Sequence, residues 1–275
     1  MKYRELLQEG EKQLEAAGNP EAKVDAWYLL EFVTGLSRQE YFLQMEQAVD
    51  DATVESYRQA LAKRMEHVPL QYITGFQEFM GLNFFVNPSV LIPRQDTETL
   101  VEQALDLMEP GDAVLDMCTG SGCILISLLK MKQGCKGVGV DISAQAIETA
   151  RENAKMNEVD ATWICSDLFA EVTGKFDVMV SNPPYIATSV IETLMPEVVE
   201  FEPYDALDGH EDGLFFYRRL VKQSGEYLTD QGYLLFEIGY DQGEAVAELM
   251  KQAGYKDVTV VKDYCENDRV VMGHL

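Results

Sequence analysis

The chain has 275 residues, among them 47 Asp and Glu against 22 Lys and Arg, which gives a net charge of −25 at pH 7. Hydrophobic residues make up 47% of the sequence, so the chain can bury a core and is not a disordered acidic tail. The charge also argues against a protein that grips nucleic acid by its phosphates, because such binding needs a surplus of basic side chains.

The N-terminal 65 residues predict a small bundle of short helices. Apolar residues recur at helical spacing over 3–17. Asn19 and Pro20 predict an N-cap and a first helical position for a second helix over 21–34. A last helix is predicted over 54–65, and the short links between these segments are typical of a helical bundle.

Residues 70–93 differ in character and predict a β-hairpin connector. Short β-type runs cover 71–73, 76–79 and 82–86, and a Met80-Gly81 turn separates the last two.

Strands and helices then alternate through 94–275, which predicts an α/β, doubly wound, Rossmann-like sheet with helices on both faces. The seven predicted strands lie at 113–117, 136–140, 161–165, 176–181, 233–238, 256–261 and 269–273. The last two are joined by a turn too short for a parallel crossover, so we expect the final strand to run antiparallel. Ligands of such sheets bind at the carboxyl ends of the strands.

A glycine-rich turn follows the first of these strands and opens a helix. It runs from Asp116 through Cys118-Thr119 to Gly120-Ser121-Gly122. Glycines there let the backbone approach a ligand at the helix N-terminus. Leu125 stands where a dinucleotide fingerprint needs its third glycine, and the G-K-[ST] sequence of a P-loop is absent.

Two further acids end the next two strands. Asp141 ends the second strand, where a carboxylate can accept both ribose hydroxyls of a nucleoside. Asp167 ends the third, next to Leu168, near where an adenine would lie. Each acid alone could equally be a helix N-cap. With Asp116 and the glycine turn they predict an adenosyl pocket, and the missing pyrophosphate-binding features favour S-adenosyl-L-methionine, whose cationic sulfonium is stabilised by nearby acids.

The tetrapeptide Asn182-Pro183-Pro184-Tyr185 follows the fourth strand. Its prolines fix φ and remove N–H donors, so the loop is stiff and its carbonyls are free to accept. The Asn182 side-chain oxygen and a proline carbonyl can receive both hydrogens of one planar –NH₂ group, while Tyr185 can stack on a flat substrate. Elsewhere such a sequence would be a mere strand-terminating turn; beside an adenosyl pocket it predicts catalysis.

These groups suit methyl transfer to an amide or aromatic amine nitrogen, which is a poor nucleophile because its lone pair is delocalised. With no Lys or His nearby in the sequence, we expect electrostatic positioning instead of prior proton abstraction. The two accepted hydrogen bonds orient the nitrogen and stabilise its developing positive charge, and the proton leaves afterwards.

Composition also bears on compartment and metals. No stretch approaches the roughly 20 apolar residues of a membrane span, and the N-terminus lacks the apolar core of a signal peptide. The five cysteines include no C-x-x-C pair and the three histidines are scattered, so we expect neither a disulfide framework nor a metal site. A cytoplasmic protein without a membrane partner is predicted.

Over nearly its whole length the chain resembles the HemK-type protein-(glutamine) N5-methyltransferases, which modify class-1 peptide chain release factors. The tetrapeptide is shared with DNA adenine methylases, whereas the Ile-Pro-Arg segment and the helical N-terminal region are more specific. The matching segments include Pro69-Leu70-Gln71-Tyr72-Ile73, Leu91-Ile92-Pro93-Arg94, Asp96-Thr97-Glu98, Thr119-Gly120-Ser121-Gly122, Asp141-Ile142-Ser143, Asn182-Pro183-Pro184-Tyr185, Glu202-Pro203, Asp212-Gly213-Leu214, Glu237-Ile238-Gly239 and Asp268-Arg269-Val270-Val271.

The resemblance implies methyl transfer from S-adenosyl-L-methionine to the glutamine of the Gly-Gly-Gln motif in a release factor. It implies that Asn182 and the Pro183 carbonyl hold the glutamine amide, with Pro184 and Tyr185 shaping its slot. It further implies that a docking domain (1–69) precedes the connector (70–93) and the methyltransferase domain (94–275).

The resemblance also assigns the cofactor contacts to residues 118–122, Asp141 and the Asp167-Leu168 turn, with Asn182 near the methyl group. Two positions depart from the family pattern. Many relatives have glycine in place of Cys118, where we expect only the room for backbone approach to be at stake. Some have an aromatic residue in place of Leu168, so adenine packing is expected to be weaker.

Several alternatives stay open at this point. Arg94 could contact substrate or cofactor, or pair with an acid. The same tetrapeptide would serve a nucleic-acid adenine-N6 methyltransferase acting on a flipped base, although the charge of −25 counts against it. A non-enzymatic cofactor-binding regulator would have no need of the tetrapeptide. Residues 176–217 contain nine acids and no Lys or Arg, which predicts either a solvated surface or an acidic rim beside the site.

Overall fold

The computed structural model describes all 275 residues, which form two compact units. The first, here called the helical unit, comprises residues 1–75 together with 195–201. The second, here called the sheet unit, comprises 76–194 and 202–275. None of the helices is both long and apolar enough to cross a membrane.

The helical unit is built on five helices in chain order. They are α1 (Tyr3–Ala16), α2 (Ala22–Thr34), α3 (Arg38–Gln44), α4 (Asp51–Met65) and α5 (Leu70–Thr74). Their apolar faces bury a core that includes Leu6, Leu14, Leu30, Tyr57 and Leu61. Burial of these side chains, worth about 1.5–3 kcal/mol each, stabilises helices that are too short to persist alone.

Local sequence signals set several of these helix ends, though not all as predicted. Ser37 forms the capping box with Glu40 that its spacing indicates. Asn19 accepts the N–H of Glu21 at 2.7 Å, and the helix itself begins later, at Ala22, so the predicted N-cap is wrong.

The predicted β-type run at 71–73 is also wrong, because these residues lie in α5. Pro69 precedes the helix with a φ of −53°, and Gly75 ends it with a φ of +84°. This pairing of proline before the helix and a left-handed glycine after it favours one helical turn over the β propensity of Tyr72 and Ile73.

The sheet unit opens with the predicted hairpin, β1 (Phe76–Phe79) and β2 (Leu82–Phe85). Met80 and Gly81 both have positive φ, at 51° and 71°, as a two-residue hairpin turn requires. The buried Phe79 and Phe84 rings pack edge to face, with centroids 6.1 Å apart. Both rings belong to the buried core to which the following helices also contribute.

The remaining elements alternate as the sequence predicts. They are α6 (Glu98–Leu107), β3 (Ala113–Met117), α7 (Cys123–Met131), β4 (Lys136–Asp141), α8 (Ala144–Met156), β5 (Thr162–Cys165), β6 (Phe176–Ser181), α9 (Thr188–Ile191), α10 (Pro196–Phe201), α11 (Phe215–Ser224), β7 (Leu228–Glu237), α12 (Gly243–Gln252), β8 (Lys256–Lys262) and β9 (Asp268–His274). Of these, α10 belongs to the helical unit.

Seven strands form one sheet in the order β5-β4-β3-β6-β7-β9-β8. The predicted reversal of the last strand is confirmed: β9 is antiparallel to both neighbours and lies between β7 and β8. The chain order changes direction between β3 and β6, so the carboxyl ends of β4, β3 and β6 lie side by side. A ligand site is expected at such a switch point.

A buried ion pair lies inside the helical unit. The Arg64 Nε donates to Asp25 Oδ2 at 2.7 Å, and Arg64 Nη2 lies 2.7 Å from Glu197 Oε2 on α10. Asn19 Nδ2 also donates to Asp25, at 2.7 Å. Because the Arg64 and Asp25 side chains are nearly inaccessible to solvent, removing either partner would leave the other's charge in the interior.

We predict that Arg64→Met lowers the free energy of unfolding by about 3–5 kcal/mol, because it leaves the Asp25 carboxylate unpaired in the core. Urea unfolding followed by circular dichroism would measure the loss. Arg58→Met is the matched control: Arg58 pairs with Glu9 at the surface, where loss of a pair costs less than about 1 kcal/mol. Equal losses for the two variants would contradict the prediction.

Candidate active site

A cavity of about 870 Å³ opens at the carboxyl ends of β3, β4 and β6. Nine of the sequence-predicted site residues line it. These are Cys118, Thr119, Gly120, Ser121, Asp141, Asp167, Leu168, Asn182 and Pro184. Asp116, Gly122, Pro183 and Tyr185 are not among the residues that line it.

The glycine-rich turn takes a left-handed backbone at alternate positions, with φ of 63° at Cys118, 54° at Gly120 and 79° at Gly122. A β-carbon on Gly120 would meet nothing within 4 Å, whereas one on Gly122 would come within 2.9 Å of the Trp163 ring. Gly120 therefore keeps space open, and Gly122 permits close packing of α7 on the sheet.

The sequence analysis did not identify the left-handed backbone conformation that is required at Cys118. Backbone approach is not all that is at stake there, because a residue with a β-carbon adopts the left-handed conformation at a cost of about 1–2 kcal/mol. Leu168 on the opposite side of the cavity has a φ of 50° and carries the same kind of strain. Strained positions of this kind cluster at functional sites.

Asp141 joins the glycine turn to the end of β4. Its Oδ2 accepts the Gly120 N–H at 2.9 Å, and its Oδ1 accepts the Ser143 N–H at 2.9 Å. Burial raises the pKa of Asp141, and the hydrogen bonds from Ser143 and Gly120 oppose that rise. Each carboxylate oxygen keeps a second lone pair that can accept a ribose hydroxyl.

Asp116 supports the glycine turn through a hydrogen bond and does not line the cavity. Its Oδ2 accepts the Thr119 hydroxyl at 2.6 Å, while Oδ1 is buried without a hydrogen-bond partner. Burial raises the pKa of Asp116 to about 7. The buried Ser121 Oγ is likewise unpartnered. The unsatisfied Ser121 hydroxyl and the open space at Gly120, both on the cavity wall, fit a polar ligand such as an adenosyl group.

The Asp167-Leu168 turn forms the far side of the cavity. Asp167 pairs with Arg219, with Nη1 3.0 Å from Oδ1, and the Arg219 guanidinium lies over the Phe215 ring at 5.6 Å. Leu168 is buried. Arg219 and Phe215 also line the cavity, and the sequence analysis missed both. The only available signal was their place on one amphipathic helix just after Asp212-Gly213-Leu214.

The Asn182–Tyr185 loop leaves the end of β6 next to the glycine turn. The Ser181 hydroxyl donates to the Met117 carbonyl at 2.5 Å and ties β6 to β3. The Asn182 side-chain nitrogen donates to Thr97 Oγ1 at 3.4 Å. The Tyr185 hydroxyl donates to Glu237 Oε1 at 3.4 Å, and burial raises the pKa of Tyr185. The position of the Tyr185 hydroxyl is thus fixed by Glu237.

The sequence left open whether Arg94 pairs with an acid or lies at the ligand site, and in the structure it does both. It pairs with the buried Glu202 carboxylate, which also accepts the Ile92 N–H at 3.3 Å. Arg94 also lines the cavity. The charge of Glu202 is therefore compensated inside the wall.

The expectation that no histidine lies near the site is wrong. His210 lines the cavity, and its ring packs against Phe215 with centroids 4.2 Å apart. The chain brings it back from 28 positions beyond Asn182, a distance that sequence proximity does not show. His210 is not part of a metal site, since no group of three or more His, Cys, Asp or Glu side chains in the structure is arranged to hold a metal ion.

The acidic segment 176–217 is less uniform than its composition suggests. Asp177 is the second residue of β6 and accepts the Ala113 N–H at 2.9 Å, so it lies at the opposite end of the strands from the cavity. Glu197 and Glu202 are paired with arginines. Asp212 is exposed but pairs with Arg218. The exposed acids without an ion pair are Glu192, Glu200, Asp205 and Glu211.

Two families match consecutive parts of the sequence. Residues 5–75 match the family described as PrmC N-terminal domain, and residues 95–200 match the family described as methyltransferase small domain.

Individual relatives match over nearly the full length. A protein of Clostridium botulinum described as a release factor glutamine methyltransferase is 40% identical over 278 residues, covering 98% of each chain. One of Geobacter sulfurreducens with the same description is 41% identical, covering 94% of this chain and 91% of its own. A solved methyltransferase structure from Pyrococcus furiosus covers 80% of this chain and 98% of its own, with 18% identity and a TM-score of 0.53, which shows a shared fold.

We predict that alanine at the two glycines of the turn affects different properties, cofactor affinity at Gly120 and stability at Gly122. Gly120→Ala should weaken binding of S-adenosyl-L-methionine at least tenfold while lowering stability by only about 1–2 kcal/mol, because its methyl group enters open space. Gly122→Ala should cost more stability, since its methyl group meets Trp163. Isothermal titration and thermal unfolding measure the two effects. Unchanged cofactor affinity in Gly120→Ala would refute this assignment.

Proposed function

The chain belongs to the release factor glutamine methyltransferase family, and on that premise we propose the reaction in detail. It transfers the methyl group of S-adenosyl-L-methionine to the side-chain amide nitrogen of the glutamine in the Gly-Gly-Gln motif of class-1 peptide chain release factors. The observation that carries this proposal is the position of Asn182, which lies on the cavity wall next to the glycine turn.

The orientation of Asn182 supports its role toward an amide. Its Nδ2 is engaged by Thr97, so its Oδ1 is the atom left to accept a hydrogen from the substrate. The Pro183 carbonyl accepts the second amide hydrogen. These two contacts hold the nitrogen lone pair toward the methyl donor and stabilise positive charge on the nitrogen as the new bond forms. Pro184 and Tyr185 confine the substrate side chain.

The cofactor, when bound, supplies the electrophilic methyl group. Asp141 would hold the ribose hydroxyls, and the backbone of 118–122 would hold the ligand where Gly120 leaves space. Asp167 and Leu168 would hold the adenine, and Asn182 the methyl end. Deprotonation follows transfer, and His210 and Asp208 on the cavity wall are available as acceptors of that proton.

The domain roles remain part of the proposal. The helical N-terminal domain (1–69) docks the release factor, the connector (70–93) follows, and residues 94–275 carry out the transfer. A release factor substrate also implies that the protein works in the cytoplasm, without a membrane or nucleic-acid partner.

We predict that the wild type adds one methyl group to a class-1 release factor and that Asn182→Ala slows this transfer about 10²–10³-fold, because one of two transition-state contacts is lost. Mass spectrometry of the factor's Gly-Gly-Gln peptide measures the transfer. A factor with Glu in place of that glutamine is the negative control. Full activity in Asn182→Ala would exclude the proposed mechanism.

The same assay separates the alternative function. A nucleic-acid adenine-N6 methyltransferase would modify DNA or RNA oligonucleotides and leave the release factor unmodified. We expect the reverse result, because the net charge is −25 and the two arginines on the cavity wall, Arg94 and Arg219, are paired with acids.

We also predict that the exposed acids beside the site attract a basic substrate. Replacing Glu192 and Glu211 by Gln and Asp205 by Asn should lower kcat/KM several-fold at low salt and flatten its decline as salt is added. The matched control replaces the distant exposed acids Glu158, Asp257 and Glu266 with their amides. If both triple variants respond alike, the acidity serves solubility alone.

A further inference from the structure

Two of the four residues of the tetrapeptide loop cannot be held through a backbone N–H, because Pro183 and Pro184 have none to donate. At the start of the loop, the hydroxyl of Ser181 ties β6 to β3. The placement of Asn182 and of the Pro183 carbonyl therefore depends on what holds the other end, at Tyr185. Misplacing groups that contact the substrate by about 1 Å can cost about 10²-fold in rate.

The side-chain amide of Gln242 holds that end of the loop. Its Nε2 donates to the Tyr185 carbonyl at 2.9 Å and to the Gly213 carbonyl at 3.3 Å, while its Oε1 accepts the Gly239 N–H at 3.0 Å. One side chain thus joins the loop after β6, the loop before α11 and the loop after β7.

The backbone of Gln242 is itself anchored on both sides. Gln242 directly precedes α12, and its N–H donates to the Gly239 carbonyl at 2.9 Å. Its own carbonyl accepts the N–H of Val246, a fully buried residue of that helix, at 3.0 Å. The amide that reaches Tyr185 therefore extends from a fixed point.

The packing around Tyr185 leaves little room for this contact to shift. A β-carbon on Gly213 would lie 2.6 Å from Gln242 Nε2 and would overlap the Tyr185 carbonyl oxygen. A β-carbon on Gly209 would lie 2.8 Å from the Tyr185 carbonyl carbon. The Tyr185 hydroxyl donates separately to Glu237 at 3.4 Å. Tyr185 is therefore held at its backbone and at its phenol end by different residues.

We propose that Gln242 is a positioning residue that, through the Tyr185 carbonyl, keeps Asn182 and the Pro183 carbonyl aligned on the substrate amide. The inference rests on the proposed function, in which those two groups accept the hydrogens of the glutamine –NH₂. Gln242 is not among the residues that line the cavity, so it acts on the reaction through the loop. Its loss should therefore lower kcat and leave the binding of both ligands largely intact.

The test replaces Gln242 by Glu and, separately, by Met in the full chain. Glu has nearly the same shape and keeps an oxygen that accepts the Gly239 N–H, but an ionised carboxylate cannot donate to the Tyr185 and Gly213 carbonyls. We expect both variants to lower kcat about tenfold or more, with KM for the release factor and the cofactor Kd within about threefold of wild type. Mass spectrometry of the factor measures transfer, and isothermal titration measures cofactor affinity.

Gln223→Glu is the matched control. Gln223 is half-buried on α11, and its Nε2 donates to the Arg219 carbonyl at 3.3 Å. The variant loses the same kind of hydrogen bond without touching the tetrapeptide loop, so it should retain the wild-type kcat.

A second pair of variants disturbs the same contact and leaves Gln242 in place. Gly213 and Gly174 both have a left-handed backbone, with φ of 73° and 97°, so alanine at either position carries the same kind of strain. Only alanine at 213 meets the Tyr185 carbonyl and the Gln242 amide, because nothing lies within 4 Å of a β-carbon on Gly174. We expect Gly213→Ala to reproduce the kcat loss and Gly174→Ala to keep the wild-type kcat.

The outcomes are distinguishable. A wild-type protein that transfers no methyl group to the release factor overturns the proposed function and this inference with it. With an active wild type, a Gln242→Glu variant that keeps its kcat overturns the inference alone.

The inference also fails if KM or the cofactor Kd changes as much as kcat, or if Gln223→Glu loses as much kcat, since Gln242 would then serve binding or folding in general. Thermal unfolding of each variant identifies loss of fold. If neither Gln242 variant folds, the comparison of Gly213→Ala with Gly174→Ala decides, and equal kcat in those two overturns the inference.

Discussion

The carboxylate of Asp141 holds together the strand ends from which the cavity is built. One oxygen accepts the N–H of Gly120 and the other that of Ser143, so the turn after β3 is tied to the end of β4. The left-handed backbone at 118, 120 and 122 then follows, because the chain must bring the Gly120 N–H to Asp141 and still begin α7. The open space for a ligand and its close neighbour, the Asn182 loop, depend on this contact.

Short-range patterns made the architecture predictable. Alternating strand and helix signals, the brief link before the last strand and the Met80-Gly81 turn are each contained within a few residues, and all of them correspond to observed elements. The glycine turn and the Asn182 loop could be placed together because parallel strands share one carboxyl edge.

The predictions that failed depend on contacts between distant residues or on local geometry that overrides propensity. Residues 71–73 carry β-type side chains, yet Pro69 and Gly75 impose a helical turn. Asp116 ends a strand as Asp141 does, but its carboxylate turns inward to Thr119. His210 reaches the cavity from the loop before α11, and Arg219 reaches it from α11 itself. No spacing rule relates either residue to Asn182. Buried polar groups that do not line the cavity, Asp116 and Glu237 among them, were visible only once the fold had enclosed them.

The helical unit consists of two segments that are far apart in the sequence, and this affects the order in which it folds during synthesis. Arg64 is synthesised about 130 residues before its partner Glu197, a delay on the order of ten seconds at about 5–20 residues per second. During that interval the nascent bundle can bury its own apolar core and the Arg64–Asp25 pair, but it lacks α10. The bundle is therefore completed only after the tetrapeptide loop of the other unit has been translated.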